Sequence, residues 1–526
     1  MLKVNELDKE KLIDPLFAAP SRRFMVTVLV LLAIIGFGGY MYIRQLTLGL
    51  GETGMDRPVY WGMYMVNFIF LIGVSMAGTL ISAALQLNKA EWRSPITRLA
   101  ETLTVFGLMV AALQIFLDMG RPERFLYIFL YGRLQSPLLW DATSLTVYLF
   151  TSMFALYLQV LPDIALLRDN FPMKGPEVLR VIYRIFSLGW RGNRAQWLRL
   201  EKAVTVVSVL IIPIGVSLHT VTSWIFSTTV QPGWNSTILG PYFVVGAIFS
   251  GIGMLFVAMA TVRRMMKLED YIKLKQFRNL SWLFIVMSVT WFYFTYTENL
   301  TIAAEQSTME FPALASKLWG EFAPVFWGMI ALMFAAFWIL VIPKLVPDRA
   351  RKLIVFQPRF ALVTAGVAMI TFFFLAVPLD TPLSARLADV NTRTLAWTFV
   401  IVLMLAAGLG VSLWLKHRLV VVTVVSGIFV VAAMWMERWL IIIPTETHPR
   451  LIPYTTYTPT LTEVSLTAAS AALLVLLVLV FFKIFPVVSI WEVSEQRIIE
   501  EAKSNISIPA PKPSNPDLLR RWRIRR

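Results

Sequence analysis

The sequence predicts an all-α polytopic membrane protein with twelve transmembrane helices and both termini in the cytoplasm. Three observations carry that reading. Residues of hydrophobic type make up 57% of the chain and charged ones only 15%, well below the roughly 25% charged of ordinary soluble domains. The apolar residues gather into runs of about 20 or more, the length a helix needs to cross a hydrocarbon core roughly 30 Å thick. The basic residues fall almost wholly in alternate connections between those runs. A soluble globular enzyme is excluded.

The predicted spans are 24–43, 59–86, 97–118, 138–161, 203–227, 240–262, 279–304, 322–343, 360–379, 394–415, 419–444 and 462–485. Helices are required because backbone N–H and C=O groups facing lipid must pair within their own segment. Pro358 and Pro378 bound the span at 360–379. Residues 1–23 carry acids as well as bases, unlike a secretory signal, and read as an uncleaved cytoplasmic leader. The membrane domain of eight helices then runs over 24–345 and includes a basic cytoplasmic segment at 163–202. A two-helix insertion follows at 346–418, the last two helices occupy 419–485, and a cytoplasmic tail closes the chain at 486–526. That tail is proline-rich from Ser504 to Pro516 and ends in an arginine cluster over Arg520–Arg526.

The formal net charge of +16 would suggest nucleic acid in a soluble protein, but its placement argues otherwise. Of the 48 lysines and arginines, 38 lie in the leader, the even-numbered connections and the tail, and 10 on the other side. The positive-inside rule places both termini in the cytoplasm. Within 163–202, Arg168, Lys174, Arg180, Arg184, Arg191, Arg194 and Arg199 interleave with Trp190 and Trp197. This segment reads as a basic interfacial helix pair on anionic headgroups, with a partner's docking surface as the alternative.

Ionisable groups inside spans are expensive and therefore functional candidates. The orientation gives each a depth. Asp118 ends the third span, and Trp140-Asp141 begins the fourth. His219 lies about 12 Å below the outer end of the fifth by helix rise. Glu298 nears the outer end of the seventh, Glu437-Arg438 that of the eleventh, and Asn67 shares their layer from the second. Glu91 and Glu101 fall near the inner face. Each has a structural alternative. Asp118 and Asp141 also suit helix ends in the headgroup region, and His219 a satisfied core position. Glu437 with Arg438 reads foremost as an ion pair. Glu298 stands among Trp291, Tyr293, Tyr296 and Thr297, which favours function.

The inventory also excludes. With no cysteine, the chain holds no disulfide, thiolate zinc site or cysteine-ligated iron–sulfur cluster. Of its 3 histidines, His219, His417 and His448, one lies in a span, so a bis-histidine haem between helices is excluded on supply. No Walker loop is present.

Several segments resemble the NrfD/polysulfide-reductase membrane-subunit family, which includes the quinol-oxidising subunits of alternative complex III. They are Arg57-Pro58-Val59-Tyr60-Trp61-Gly62 and Ala77-Gly78-Thr79-Leu80-Ile81-Ser82, then Met119-Gly120-Arg121-Pro122 and Ser136-Pro137-Leu138-Leu139-Trp140-Asp141. Ser217-Leu218-His219-Thr220-Val221 follows, then Gly240-Pro241-Tyr242-Phe243-Val244 with Gly246–Gly251, and last Met434-Trp435-Met436-Glu437-Arg438. The resemblance covers most of 57–345 and returns at 419–492. It implies a ten-helix core with two added helices, and a non-covalently bound quinone, menaquinone or ubiquinone, in the outer half of the membrane. It also implies an extracytoplasmic ferredoxin-like iron–sulfur subunit as partner, with a molybdopterin or cytochrome subunit beyond it. Bacterial or archaeal cell membrane is the implied location. Asp118, Asp141, His219 and Glu298 become the candidate acid–base groups, and Asn67, Arg121, Trp140 and Tyr242 the candidate quinone contacts. Arg121 and Arg124 are placed to face the partner. Met76 stands where relatives in alternative complex III carry histidine, so no proton route through that position is implied.

The function expected is a quinone-interacting subunit that exchanges electrons between membrane quinol and the iron–sulfur partner. Two alternatives stand beside it: a secondary transporter, and a proton-translocating module without its own redox site. Against a transporter, the candidates lie towards one face and no paired broken helices mark the two halves.

Overall fold

The computed structural model describes residues 8–345 and 418–494, apart from 89, 91 and 171–175. Among them ten helices are long and apolar enough to span a membrane. These are α1 Arg22–Leu48, α2 Met63–Leu87, α3 Ser94–Asp118, α4 Pro137–Asp169, α5 Arg194–Ser227, α6 Leu239–Met265, α7 Leu274–Glu305, α8 Ala323–Leu345, α9 Leu419–Thr447 and α10 Leu461–Ile484. Each falls on a predicted span, and the described chain contains no strand. The expected spans at 360–379 and 394–415 lie outside the described residues.

Segment 163–202 is more helical than a polar connection would be. The α4 helix runs on to Asp169, a separate helix covers Glu177–Phe186, and α5 begins at Arg194. The extension of α4 is stable because its polar residue is answered: Asp163 forms an ion pair with Arg98 at 2.7 Å, and both side chains are fully buried.

Contacts between connections show which helix ends share a level. Gln45 Nε2 donates to the Leu117 carbonyl, Thr460 Oγ1 donates to that of Glu52, and Arg450 pairs with Glu310. These ends of α1, α3, α7, α9 and α10 form one end of the bundle, here the Asp118 end. At the opposite, Asp163 end, Lys483 donates to the carbonyls of Pro15 and Ala18, and Tyr271 to Asp8.

Helix α2 is the most enclosed span and α1 the least. Leu29, Val30, Phe37 and Ile43 of α1 are exposed, as suits a lipid-facing helix held mainly against α10. Lipid tails are as apolar as leucine, so close backbone approach and polar contacts must hold such helices together. Small residues provide that approach. A Cβ on Gly78 of α2 would fall 2.2 Å from the Ala100 carbonyl oxygen of α3, and one on Gly427 of α9 2.5 Å from that of Gly253 in α6. No side chain fits at either crossing.

A buried acid–base cluster at the Asp118 end

The α4–α5 seam is antiparallel and in register. Asp141, Tyr148 and Ser152 recur on one face of α4, and Gly215, His219 and Thr222 at i, i+4 and i+7 on the facing side of α5. Asp141 therefore meets Thr222, whose Oγ1 lies 2.5 Å from Oδ1, while Tyr148 meets Gly215, where a Cβ would stand 3.4 Å from its ring. Pro137 starts α4, its missing N–H costing nothing at a first-turn position. The Asp141 carboxyl follows near the positive end of the helix dipole, and only 4% of the residue is exposed. His219, also buried, has Nδ1 3.1 Å from the Gly215 carbonyl oxygen. Its Nε2, also buried, lies towards the Ile72 backbone of α2.

A second group lines the crossing of α6, α7 and α9. Trp291 Nε1 donates to Glu437 Oε1 at 2.6 Å, and Arg438 Nη1 lies 3.1 Å from Glu437 Oε2. Tyr242 and Thr295 share a hydrogen bond at 3.0 Å, and Ser236 donates to Glu298 at 2.6 Å. Arg438 joins the two groups. Its guanidinium sits over the Phe243 ring at 4.9 Å, in the space left by Gly246, and within electrostatic reach of His219. A cavity of about 60 Å³, room for a few water molecules, opens between Tyr242, Thr295, Glu298, Lys317 and Glu437. Lys317 belongs to the short helix Phe311–Leu318, outside the spans. Burial pushes its amine down to about 8, against the pull of Glu298.

The remaining predicted residues lie apart. Asn67 bridges α9 and α10, accepting from Trp435 Nε1 at 2.9 Å and donating to Thr467 at 2.7 Å. Asp118 faces Glu463 and Tyr64 rather than Asp141, with Oδ1 buried and unpaired. Arg121 is exposed on the loop after α3. Trp140 points away from the cluster, its indole donating to the Leu134 carbonyl at 2.5 Å and meeting Trp224 edge-on.

Four participants escape sequence reasoning. Thr222 is an ordinary helix threonine until Asp141 faces it. Glu463 caps α10, accepts from Gly54 N at 2.8 Å and takes the Tyr457 hydroxyl at 2.5 Å. Its Thr460-x-x-Glu463 capping box was a readable signal. Glu446 accepts from Tyr60 N at 2.8 Å, and Lys317 falls in the connection between two predicted spans. Towards the Asp163 end, Glu101 is buried, accepting from Ser82 at 2.5 Å and from Gln159. Glu91 lies outside the described residues.

The fold and this cluster define a multi-pass membrane protein with protonatable groups buried towards one end of a helical bundle. The polysulphide reductase NrfD family profile matches residues 51–382, and the chain belongs to that family. It is 30% identical over 232 residues to a Halobacterium salinarum protein provisionally named as a dimethyl sulfoxide reductase membrane subunit, covering 44% of this chain and 49% of that one. A selenate reductase subunit of Mesobacillus selenatarsenatis is 25% identical over 245 residues, covering 44% and 55%. The Hdr-like menaquinol oxidoreductase integral membrane subunit of Archaeoglobus fulgidus is 25% identical over 326 residues, covering 61% and 69%. The chain thus spans about half the length of the first two.

Proposed function

We propose that this chain is the quinone-interacting membrane subunit of a respiratory oxidoreductase, exchanging electrons between membrane quinol and an extracytoplasmic iron–sulfur subunit. The observation that carries it is the buried Asp141–Thr222–His219 set beside Arg438. A quinol supplies two electrons and two protons as it becomes quinone. Asp141 can accept a proton, and Thr222 holds the carboxylate in place. The buried Nε2 of His219 has no side-chain partner and only the Ile72 backbone beside it, so a quinone hydroxyl or carbonyl oxygen fits its chemistry. His219 also offers an imidazole that can accept or pass on a proton. The donors and acceptors present thus fit a quinone headgroup. All three relatives are named as subunits of reductases or of a menaquinol oxidoreductase, which supports the same class. In this reading Asp118, Glu298, Asn67, Arg121 and Tyr242 serve the surroundings of the site, and the Asp118 end faces outward.

The test is quinol oxidation per intact complex. Asp141→Asn keeps shape and hydrogen bonding without charge, and His219→Phe keeps a ring without titratable nitrogen. Loss of an acid–base group lowers turnover by ~10²–10⁴-fold. Near-normal turnover of both variants, in complexes assembled at normal yield, would overturn the assignment.

A second reading has its own observation. Between the cluster and Glu101, the hydroxyls of Tyr148 and Thr79 lie against each other, and the Ser152 hydroxyl and one Glu101 oxygen are buried without hydrogen-bond partners. Such a column suits proton movement along the α2–α4–α5 interior. Glu101→Gln would then abolish proton release in reconstituted vesicles while leaving quinol oxidation, once uncoupled, intact. Unchanged proton release removes this reading and leaves the first standing.

A further inference from the structure

The helix Glu177–Phe186 and the turn after it lie across the Asp163 end without entering the bundle. Tyr183 donates to the Ile484 carbonyl at the end of α10 at 2.6 Å, and Tyr157 of α4 donates to the Phe186 carbonyl at 2.8 Å. Arg168 of α4 ties the turn down, bonding Ser187 Oγ and the Trp190 carbonyl, each at 2.9 Å. The helix is therefore fixed where the spans end, at the level of a membrane–water interface. Leu179, Ile182 and Tyr183 take its docked face.

A second apolar stripe remains uncovered. Val178, Val181, Ile185 and Leu188 follow at i, i+3, i+7 and i+10 and are 71%, 51%, 59% and 75% exposed. Arg184 flanks the stripe, and Arg191 and Arg194 follow in the turn and at the start of α5. None of these three guanidinium groups has a hydrogen bond or ion pair among the described residues. The turn is also shaped for an acceptor. Leu188, Gly189 and Gly192 hold φ of 42°, 69° and 68°, the left-handed region in which glycine carries no steric cost. The indole nitrogens of Trp197 and Trp190 stand 3.6 and 3.8 Å from where a Gly192 Cβ would be. Neither indole has an acceptor among the described residues.

From this combination we infer an anionic phospholipid site. The phosphodiester lies at the Trp190–Gly192–Arg194 turn, and the acyl chains run along Val178, Val181 and Ile185. Arginine and indole donors suit phosphate oxygens. An exposed apolar stripe with flanking arginines, level with the helix ends, suits a lipid more than a soluble anion. The inference depends only on the chain being a membrane protein, not on its redox role.

The experiment uses the full chain in its complex, extracted in mild detergent and exchanged into mixed phosphatidylglycerol and phosphatidylcholine. Native mass spectrometry then counts retained lipid. About one phosphatidylglycerol per chain should resist removal, and phosphatidylcholine should not replace it. Arg184→Gln with Arg191→Gln and Arg194→Gln should lose it, as should Val181→Gln with Ile185→Gln, whose changes are exposed and spare the docked face. Equal retention of the two lipids overturns the inference, as does unchanged retention in both variants. Displacement by millimolar inorganic phosphate, with the apolar variant still binding, would reduce the turn to a simple anion site. Protection of Val181 and Ile185 by a partner protein, with no lipid retained, would assign the stripe to protein docking.

Discussion

Two buried aspartates on α4 differ in what surrounds them, and that difference separates structure from chemistry. Asp163 is fully satisfied. It pairs with Arg98 and accepts from the backbone N–H groups of Ile490 and Trp491 at 3.0 and 3.1 Å. Arg98 in turn donates to the carbonyls of Pro486 and Gln159. Removing one partner of such a pair leaves an uncompensated charge and costs about 3–5 kcal/mol. Asp163→Asn should therefore lower thermal stability and expose the segment after α10 to protease, with residual turnover tracking the folded fraction. Asp141, with one hydroxyl as side-chain partner, should behave in the opposite way, losing turnover before stability. Lys317 supplies a pH signature. Burial disfavours its charged form, so the free amine should appear through a midpoint near 8 instead of the ordinary 10.5. Acylation at Lys317, followed by peptide mass spectrometry between pH 6 and 11, measures that midpoint. A profile like that of surface lysines would show the side chain to be solvated.

At the scale of helices, packing rests on small residues whose loss cannot be absorbed. At Gly78 a side chain would meet the backbone of α3, and overpacking of a tight contact costs about 1–3 kcal/mol or more. Gly78→Val should sharply reduce the yield of assembled protein. Gly36→Ala on α1, with nothing within 4 Å of the new Cβ, should be tolerated, and the two yields together test the packing. The ten described spans were legible because twenty-residue apolar runs have few other fates. Their ends were less so. The predicted fourth span stops at 161 whereas α4 runs on to Asp169, because Asp163 finds its partner only when Arg98 arrives from a helix more than sixty residues earlier. The candidate site was legible to a similar extent. Asp141 and His219 stand out as ionisable residues inside spans, and they do share one seam. Their link Thr222 carries no signal of its own. Asp118 has the same sequence signal as Asp141, yet it faces α10, since charge and depth say nothing about which neighbour a helix face meets.

For the whole molecule, orientation decides which side receives the electrons in the proposed reaction, and it is open to a direct test. The charge asymmetry rests on connections whose ends the fold keeps apart. Arg263, Arg264, Lys267, Lys273 and Lys275 cluster at the adjoining ends of α6 and α7 and in the turn between them, at the Asp163 end, whereas the α9–α10 connection at the Asp118 end carries Arg450, paired with Glu310. Positive connections are retained in the cytoplasm, so the Asp118 end should face outward. The natural absence of cysteine makes single introduced thiols unambiguous reporters. Leu451, 81% exposed, lies between α9 and α10, and Glu269 is exposed between α6 and α7. Neither contributes to the acid–base cluster. In intact cells a membrane-impermeant maleimide should label Leu451→Cys and reach Glu269→Cys only after permeabilisation. The reverse pattern would turn the molecule over and place Asp141, His219 and Arg438 beneath the cytoplasmic face. An extracytoplasmic iron–sulfur partner would then be ruled out, because the electrons would leave on the opposite side of the membrane.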